Sequence, residues 1–417
     1  MDFEEIHVFM YIDALPFKYV NPEYMPHLFS LLSKEKSCIH TLQNIPGYSF
    51  GIQSTLLSGL LPQESFHWMP YMFIPENTSL FTKYGVKSIC DNDPLLCSEV
   101  FRKALSVFHD SEFKNVRFLY EVLLHAHAMV FEKTRGIKLH GIPPGHLEKM
   151  LTFPYYYMNE NPFFTMFKKE IEKTLDMRVY YIGHSLSKNI AKLPTLLSMG
   201  KDASRLFVFE YIDDLDRIGH KMKVASRAWL DTLEAIDYFI FKVYRTLSAV
   251  GKQARFLIFS DHGMCNADEY IDLESLLLNK LPRGVFDYFI DATLAFIRMY
   301  KESLKDSVLK LLGKKLSGKA LIFDLEGNRD ILKQHGVYFA DGEYGDIIVQ
   351  TNPCKGFFPN FYSITRELIG LHGFWPSESV QQAFIVSLST KTSPGLCKNP
   401  QHIREVKDFV LCNLSLG

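Results

Sequence analysis

Residues 206–220 read LFVFEYIDDLDRIGH, and this stretch decides the fold. A short apolar run rich in β-branched and aromatic residues is the signature of a strand, and the acidic, glycine-containing segment behind it is a turn. From about 221 to 249, Val224, Ala225, Trp229, Leu233, Ile236, Phe239 and Val243 recur at three- to four-residue spacing and stop at Gly251. That is the spacing of an amphipathic helix. Strand, polar turn, helix is the repeating unit of an α/β protein, with the turn free to carry chemistry.

Other apolar runs read the same way. Strands are expected at about 5–12, 86–90, 178–183, 254–260, 346–351 and 382–388, and a helix over about 23–34. The alternation predicts an α/β sandwich with a largely parallel central sheet flanked by helices. Its core is expected to comprise residues 1–99, 176–267 and 343–417. Residues 100–175 read as a helical, aromatic-rich insertion with a helix near 115–134, a break at GIPPG and the run FPYYYMNENPFFTMF. Those aromatic rings suit either core packing or an organic group of a substrate. Residues 268–342 read as a small α+β cap, with strands in ATLAFIRMY, KALIFDL and HGVYFAD and a helix over about 302–316.

Composition narrows the function. At 417 residues and 47% hydrophobic, the chain can bury a large core. Lys and Arg number 46 against 47 Asp and Glu, so no basic field is present to hold long nucleic acid. No run of about twenty apolar residues suggests a transmembrane segment. The acidic start MDFEEIHVFMYID reads as a first strand and not as a leader. The seven cysteines are scattered and lack a CxxC pair, which predicts reduced thiols in a cytoplasmic protein. The sequence leaves the oligomeric state open.

Six candidate metal ligands follow apolar runs. Asp13 closes HVFMYID, Asp216 and His220 stand in DDLDRIGH, Asp261 and His262 follow ARFLIFS, and His372 lies in GLHGFW. Carboxylates and imidazoles delivered into one crevice suit a divalent cation. Asp216 and His220 are four residues apart, so one helical turn puts both on one side. A hydroxyl, Ser49, opens the helical pattern of IPGYSFGIQSTLLSGLLP, which ends at Gly59. At a helix start it is either an ordinary cap or a nucleophile beside an anion-binding set of amides.

In its order and spacing this set resembles the type I phosphodiesterase/nucleotide pyrophosphatase family of the alkaline phosphatase superfamily. The matching residues are Asp13 in YIDALP, Ser49 ten residues before Gly59, Asp216 and His220 in DxxGH, Asp261 and His262 in SDHGM, and His372 in HGFWP. The resemblance implies an alkaline-phosphatase-like fold and two divalent metal ions, zinc or alternatively manganese. Asp13, Asp261, His262 and the Ser49 oxygen would hold one ion, and Asp216, His220 and His372 the other. It implies cleavage of a phosphodiester or pyrophosphate bond in a small or nucleotide-like substrate through a phosphoryl-serine intermediate. Phosphotransfer to another alcohol, phosphomonoesterase or mutase chemistry, and a binding protein without turnover are the alternatives.

The motif departs from the family after the nucleophile. Where the family carries Thr-Phe-Pro-Asn, this chain has Ser49-Phe50-Gly51-Ile52. Ile52 offers no side-chain donor, which leaves the Phe50 backbone amide as the candidate oxyanion donor. His67 is a further residue near this loop, and His125 and His127 read as structural.

Overall fold

Alternation along the strands sets the layers. The computed structural model describes residues 5–69, 73, 158, 161–183, 185–199, 205–249, 253–282, 285–360, 367–389 and 397–415. The expected helix at 115–134, the GIPPG break, the strand at 86–90, and His125 and His127 lie outside these residues. Two compact units emerge. One comprises Met1–Phe66, Tyr157–Asn266 and Ile369–Gly417, the other His67–Tyr156 and Ala267–Leu368.

The first unit is built on a six-stranded sheet. Its strands are β1 (Glu5–Ile12), β2 (Ile39–Leu42), β3 (Arg178–Ile182), β4 (Arg205–Ile212), β5 (Gln253–Ser260) and a last strand, Ala383–Ser389. Their spatial order is β2, Ala383–Ser389, β5, β1, β4, β3. β1 pairs in parallel with β4 and β5, and β3 in parallel with β4. Ala383–Ser389 runs antiparallel to both β5 and β2, so the sheet is mixed with one reversed strand.

All eight residues of β1 are buried, which is why its stretch Val8–Ile12 reads as a continuous apolar run. Ile6, Val8, Met10 and Ile12 face one core, with Trp229, Leu233, Ile236 and Val243 of helix Arg227–Ala249 and Leu28, Leu31 and Leu32 of α1 (Pro26–Glu35). Phe9 and Tyr11 face the other, with Ile52, Leu56 and Leu57 of α2 (Ser49–Ser58) and Val406, Phe409 and Val410 of helix Val406–Ser415. Phe164, Phe167 and Ile171 of helix Pro162–Thr174 join this second core. That helix was expected in the insertion, but its aromatic face packs on Phe207 and Phe209 of β4. For Phe164 and Phe167 the packing reading is the right one.

The second unit holds a four-stranded antiparallel sheet ordered Ala320–Asp324, Ile347–Thr351, Leu294–Met299, Phe286–Ile290. Helices Leu273–Lys280 and Lys305–Lys315 cover it with Leu273, Leu277, Val308 and Leu312. Ile347–Thr351 was expected in the central core. A short run such as IIV does not declare its sheet, and here the strand pairs with cap strands. HGVYFAD forms no strand, because the chain turns at Gly336 (φ 73) and buries Val337 and Phe339 without pairing.

The cysteines correct another expectation. Cys397 and Cys412 form a disulfide across 15 residues, fastening the segment before the last helix to that helix. Cys265 and Cys354 are each in a disulfide as well, while Cys38 is a free, exposed thiol. Reduced thiols throughout are therefore excluded; scattered spacing hid pairs that only the fold brings together. No described helix is long and apolar enough to cross a membrane.

Candidate metal centre

The parallel strands deliver their C-terminal ends to one edge of the sheet. Asp13 follows β1, its amide continuing the ladder to Ile212 O at 2.9 Å. After β4 the chain enters helix Asp214–Lys221, which carries Asp216 and His220 one turn apart. Asp261 and His262 follow β5. His372 follows Gly370–Leu371, which pairs antiparallel with Cys265–Asn266. Close approach makes this last delivery work. A Cβ on Gly370 would lie 2.4 Å from Gly219 O, and one on Gly219 would lie 2.1 Å from Met264 Sδ.

Two sets of ligand atoms result, each within 4.8 Å across. In one, Asp216 Oδ1 lies 3.2 Å from His220 Nε2 and 3.2 Å from His372 Nε2, and the two nitrogens are 3.0 Å apart. In the other, His262 Nε2 lies 3.2 Å from Asp261 Oδ2 and 3.7 Å from Asp13 Oδ1. The rings of His262 and His372 stack at 4.2 Å and 12°, so the sets are neighbours. The structure thus brings together all six residues that the sequence singled out, in the expected partition.

Ser49 completes the second set. Its Oγ is 3.2 Å from Asp13 Oδ1 and 2.9 Å from His262 Nε2. It is the first residue of α2, the capping position being Tyr48, and no side chain caps that helix. The ordinary-cap reading of Ser49 therefore fails. Phe50 follows in the first turn, where helix amides and dipole favour an anion. Ile52 is fully buried in the apolar core, so this position packs and offers the site no side-chain donor.

The donor set fits divalent cations. His220 Nδ1 lies 3.0 Å from Gly370 O, and His262 Nδ1 lies 2.9 Å from Gly263 O. A carbonyl only accepts, so both rings donate from Nδ1 and present Nε2 lone pairs to the carboxylates. Asp216 Oδ1 and Asp261 Oδ2 are buried and accept no hydrogen bond. Lone pairs facing carboxylate oxygens at 3.2 Å repel unless a cation lies between them. Burial first, then the charges of Asp261 and Asp216, pushes the Asp13 carboxyl well above its ordinary range. Burial and the neighbouring His262 push His372 down to about 3, keeping it a neutral donor.

Three supporting residues carried no sequence signal. Asn44 Nδ2 donates to Asp261 O and Gln381 O, both at 2.7 Å. Gln381 donates to Ile45 O and Gly47 O and accepts from the Phe374 amide. These two amides tie the loops bearing Ser49, Asp261 and His372 into one frame. Tyr211 of β4 donates to Asp13 Oδ2. A single polar residue in a loop, or a tyrosine in an apolar strand, shows no spacing that marks it.

The fold is similar to that of solved proteins. Murine ectonucleotide pyrophosphatase/phosphodiesterase 5 is 15% identical, with a TM-score of 0.55 over 99% of this chain and 95% of that one. The human protein is 16% identical, with a TM-score of 0.55 over 99% and 95%. An inactive form of the murine protein in complex with AMP is 16% identical, with a TM-score of 0.53 over 98% and 94%. At such identity the likeness speaks for the α/β fold. No curated protein matches the sequence. The sequence profile of the type I phosphodiesterase/nucleotide pyrophosphatase family matches residues 7–359. The chain belongs to the type I phosphodiesterase/nucleotide pyrophosphatase family.

Proposed function

We propose that the protein hydrolyses a phosphodiester or pyrophosphate bond in a small nucleotide-like substrate, with Ser49 as nucleophile. The observation that carries this reading is the Ser49 hydroxyl held between Asp13 Oδ1 and His262 Nε2 at the start of a ten-residue helix. Two divalent cations, zinc or manganese, held by Asp13, Asp261, His262 and Ser49 and by Asp216, His220 and His372, would supply Lewis acidity and offset phosphate charge. Asp13 Oδ1 orients Oγ. The nitrogens of α2, with the Phe50 amide foremost, face the nonbridging oxygens. Oγ attacks phosphorus, forming the Oγ–P bond as the bond to the leaving oxygen breaks. Water then displaces Ser49 in line, and the two inversions give net retention.

Among the described residues, Asp13, Asp216 and Asp261 have imidazoles and no Arg or Lys within ion-pair distance, and a site without a fixed side-chain cation suits a singly charged diester better than a monoester dianion. Bound AMP in the inactive murine protein supports a nucleotide-like substrate. With the reduced-thiol premise removed, the disulfides favour an oxidising compartment over the cytoplasm.

The test is hydrolysis of a chromogenic phosphodiester beside its monoester by zinc-loaded protein, with Ser49→Ala as control. Faster diester cleavage that disappears in the variant is expected. Monoester preference would redirect the assignment to a phosphatase or mutase, and full activity in Ser49→Ala would remove the covalent route.

A further inference from the structure

Tyr211 reaches Asp13 from beneath. It stands near the end of β4 on the face that packs under α2. Its oxygen lies within hydrogen-bonding reach of Asp13 Oδ2 and 3.3 Å from Gln53 Nε2. Gln53 comes four residues after Ser49 in α2, one turn further along the same helix face. An amide nitrogen only donates, so the Tyr211 oxygen receives from Gln53. With Asp13 ionised as a cation ligand, its carboxylate only accepts, and Tyr211 gives it its single proton. With Oδ2 engaged, Oδ1 is the oxygen left to face Ser49 Oγ at 3.2 Å and His262 Nε2 at 3.7 Å. The Tyr11 ring packs edge-on against Tyr211 at 5.2 Å and limits the phenol's swing.

We propose that Gln53 and Tyr211 form a one-way hydrogen-bond relay that fixes which oxygen Asp13 turns toward Ser49 and toward the cation of its set. Tyr211 is then a positioning residue, and Gln53 sets the direction of its proton. The inference rests on reading Asp13, Asp261 and His262 as a cation site.

The experiment compares wild type, Tyr211→Phe, Gln53→Leu and Gln53→Glu by calorimetric titration of the metal-free proteins with zinc, alongside kcat and KM for the chromogenic diester. Tyr211→Phe is expected to weaken one of two zinc-binding events by about 10- to 100-fold and leave the other unchanged. Its kcat should fall by a similar factor with KM within about twofold. Gln53→Glu should reproduce that loss, because its carboxylate accepts the Tyr211 proton and draws it away from Asp13. Gln53→Leu should lose less. Should Tyr211→Phe fail to fold, the partly exposed Gln53 pair carries the test. Wild-type affinity for both ions in Tyr211→Phe, or equal behaviour of Gln53→Glu and Gln53→Leu, overturns the relay. A wild-type protein that binds no zinc would overturn the cation reading itself, and the relay with it.

Discussion

The two ligand sets sit side by side and differ in depth. In the set with Ser49, the side chains of Asp261 and His262 are 0% exposed and that of Asp13 is 4% exposed. In its neighbour, His220 is 26% and Asp216 23% exposed, with His372 at 7%. The deep set stands directly on strands β1 and β5. Ala14 N donates to Asp261 Oδ1, Leu15 N donates to Ser260 Oγ, and Asn44 holds the Asp261 carbonyl. The shallow set stands on an eight-residue helix and a two-residue strand. Rigid, dry support suits the group that must hold a nucleophile still, whereas access suits the group that meets substrate and releases product.

Removing a ligand from each set sharpens the contrast. Asp261→Ala should lower diester turnover by about 10³-fold or more, since it strips a buried ligand and leaves His262 facing a void. Metal analysis should then find the deep ion lost. His220→Ala should cost about 10²-fold, with the deep ion retained and the shallow one exchanging freely with a chelator. Loss of both ions from His220→Ala would break the distinction and make the sets one cooperative unit.

The frame between the loops comes next in size. Asn44→Ala orphans the Asp261 and Gln381 carbonyls, and about a 10-fold drop in kcat is expected with about 1–3 kcal/mol lost in stability. An unchanged kcat in a destabilised variant would make Asn44 structural only.

A carboxylate away from the site gives the smallest effect on turnover and a useful contrast. Glu210 of β4 is fully buried, neither oxygen accepts a hydrogen bond, and burial pushes it up to about 8. At the candidate metal centre imidazoles stand beside the buried carboxylates, whereas no hydrogen-bond partner meets Glu210 among the described residues. Its folded value exceeds the ordinary 4.5, so the folded state keeps a proton that the unfolded chain releases between pH 4.5 and about 8. Stability should fall with rising pH across that window by roughly 1.4 kcal/mol per unit at most, and level off above it. Glu210→Met should remove the slope and be the more stable protein at pH 8, read by thermal unfolding across pH without change in turnover. Identical slopes would mean that the carboxylate finds a partner.

What the sequence made legible follows from periodicity and from strand ends. β1 and β4 stand at the expected residues because runs buried on both faces are continuous, and the six ligands follow because strand termini place polar residues after such runs. Ile347–Thr351 was misplaced because an apolar strand carries no mark of the sheet it joins. Helix Pro162–Thr174 was misplaced because proximity to an irregular stretch masked an amphipathic face with Phe164, Phe167 and Ile171 in line. Asn44, Gln381 and Tyr211 act through contacts between residues hundreds of positions apart, which spacing cannot encode.

The central claim is that Ser49 takes the phosphoryl group before water does. The stereochemical course of hydrolysis of a diester chiral at phosphorus tests it most directly. Two in-line displacements predict retention, with Ser49→Ala inactive; inversion by the wild-type protein would mean direct attack by water and would contradict the account.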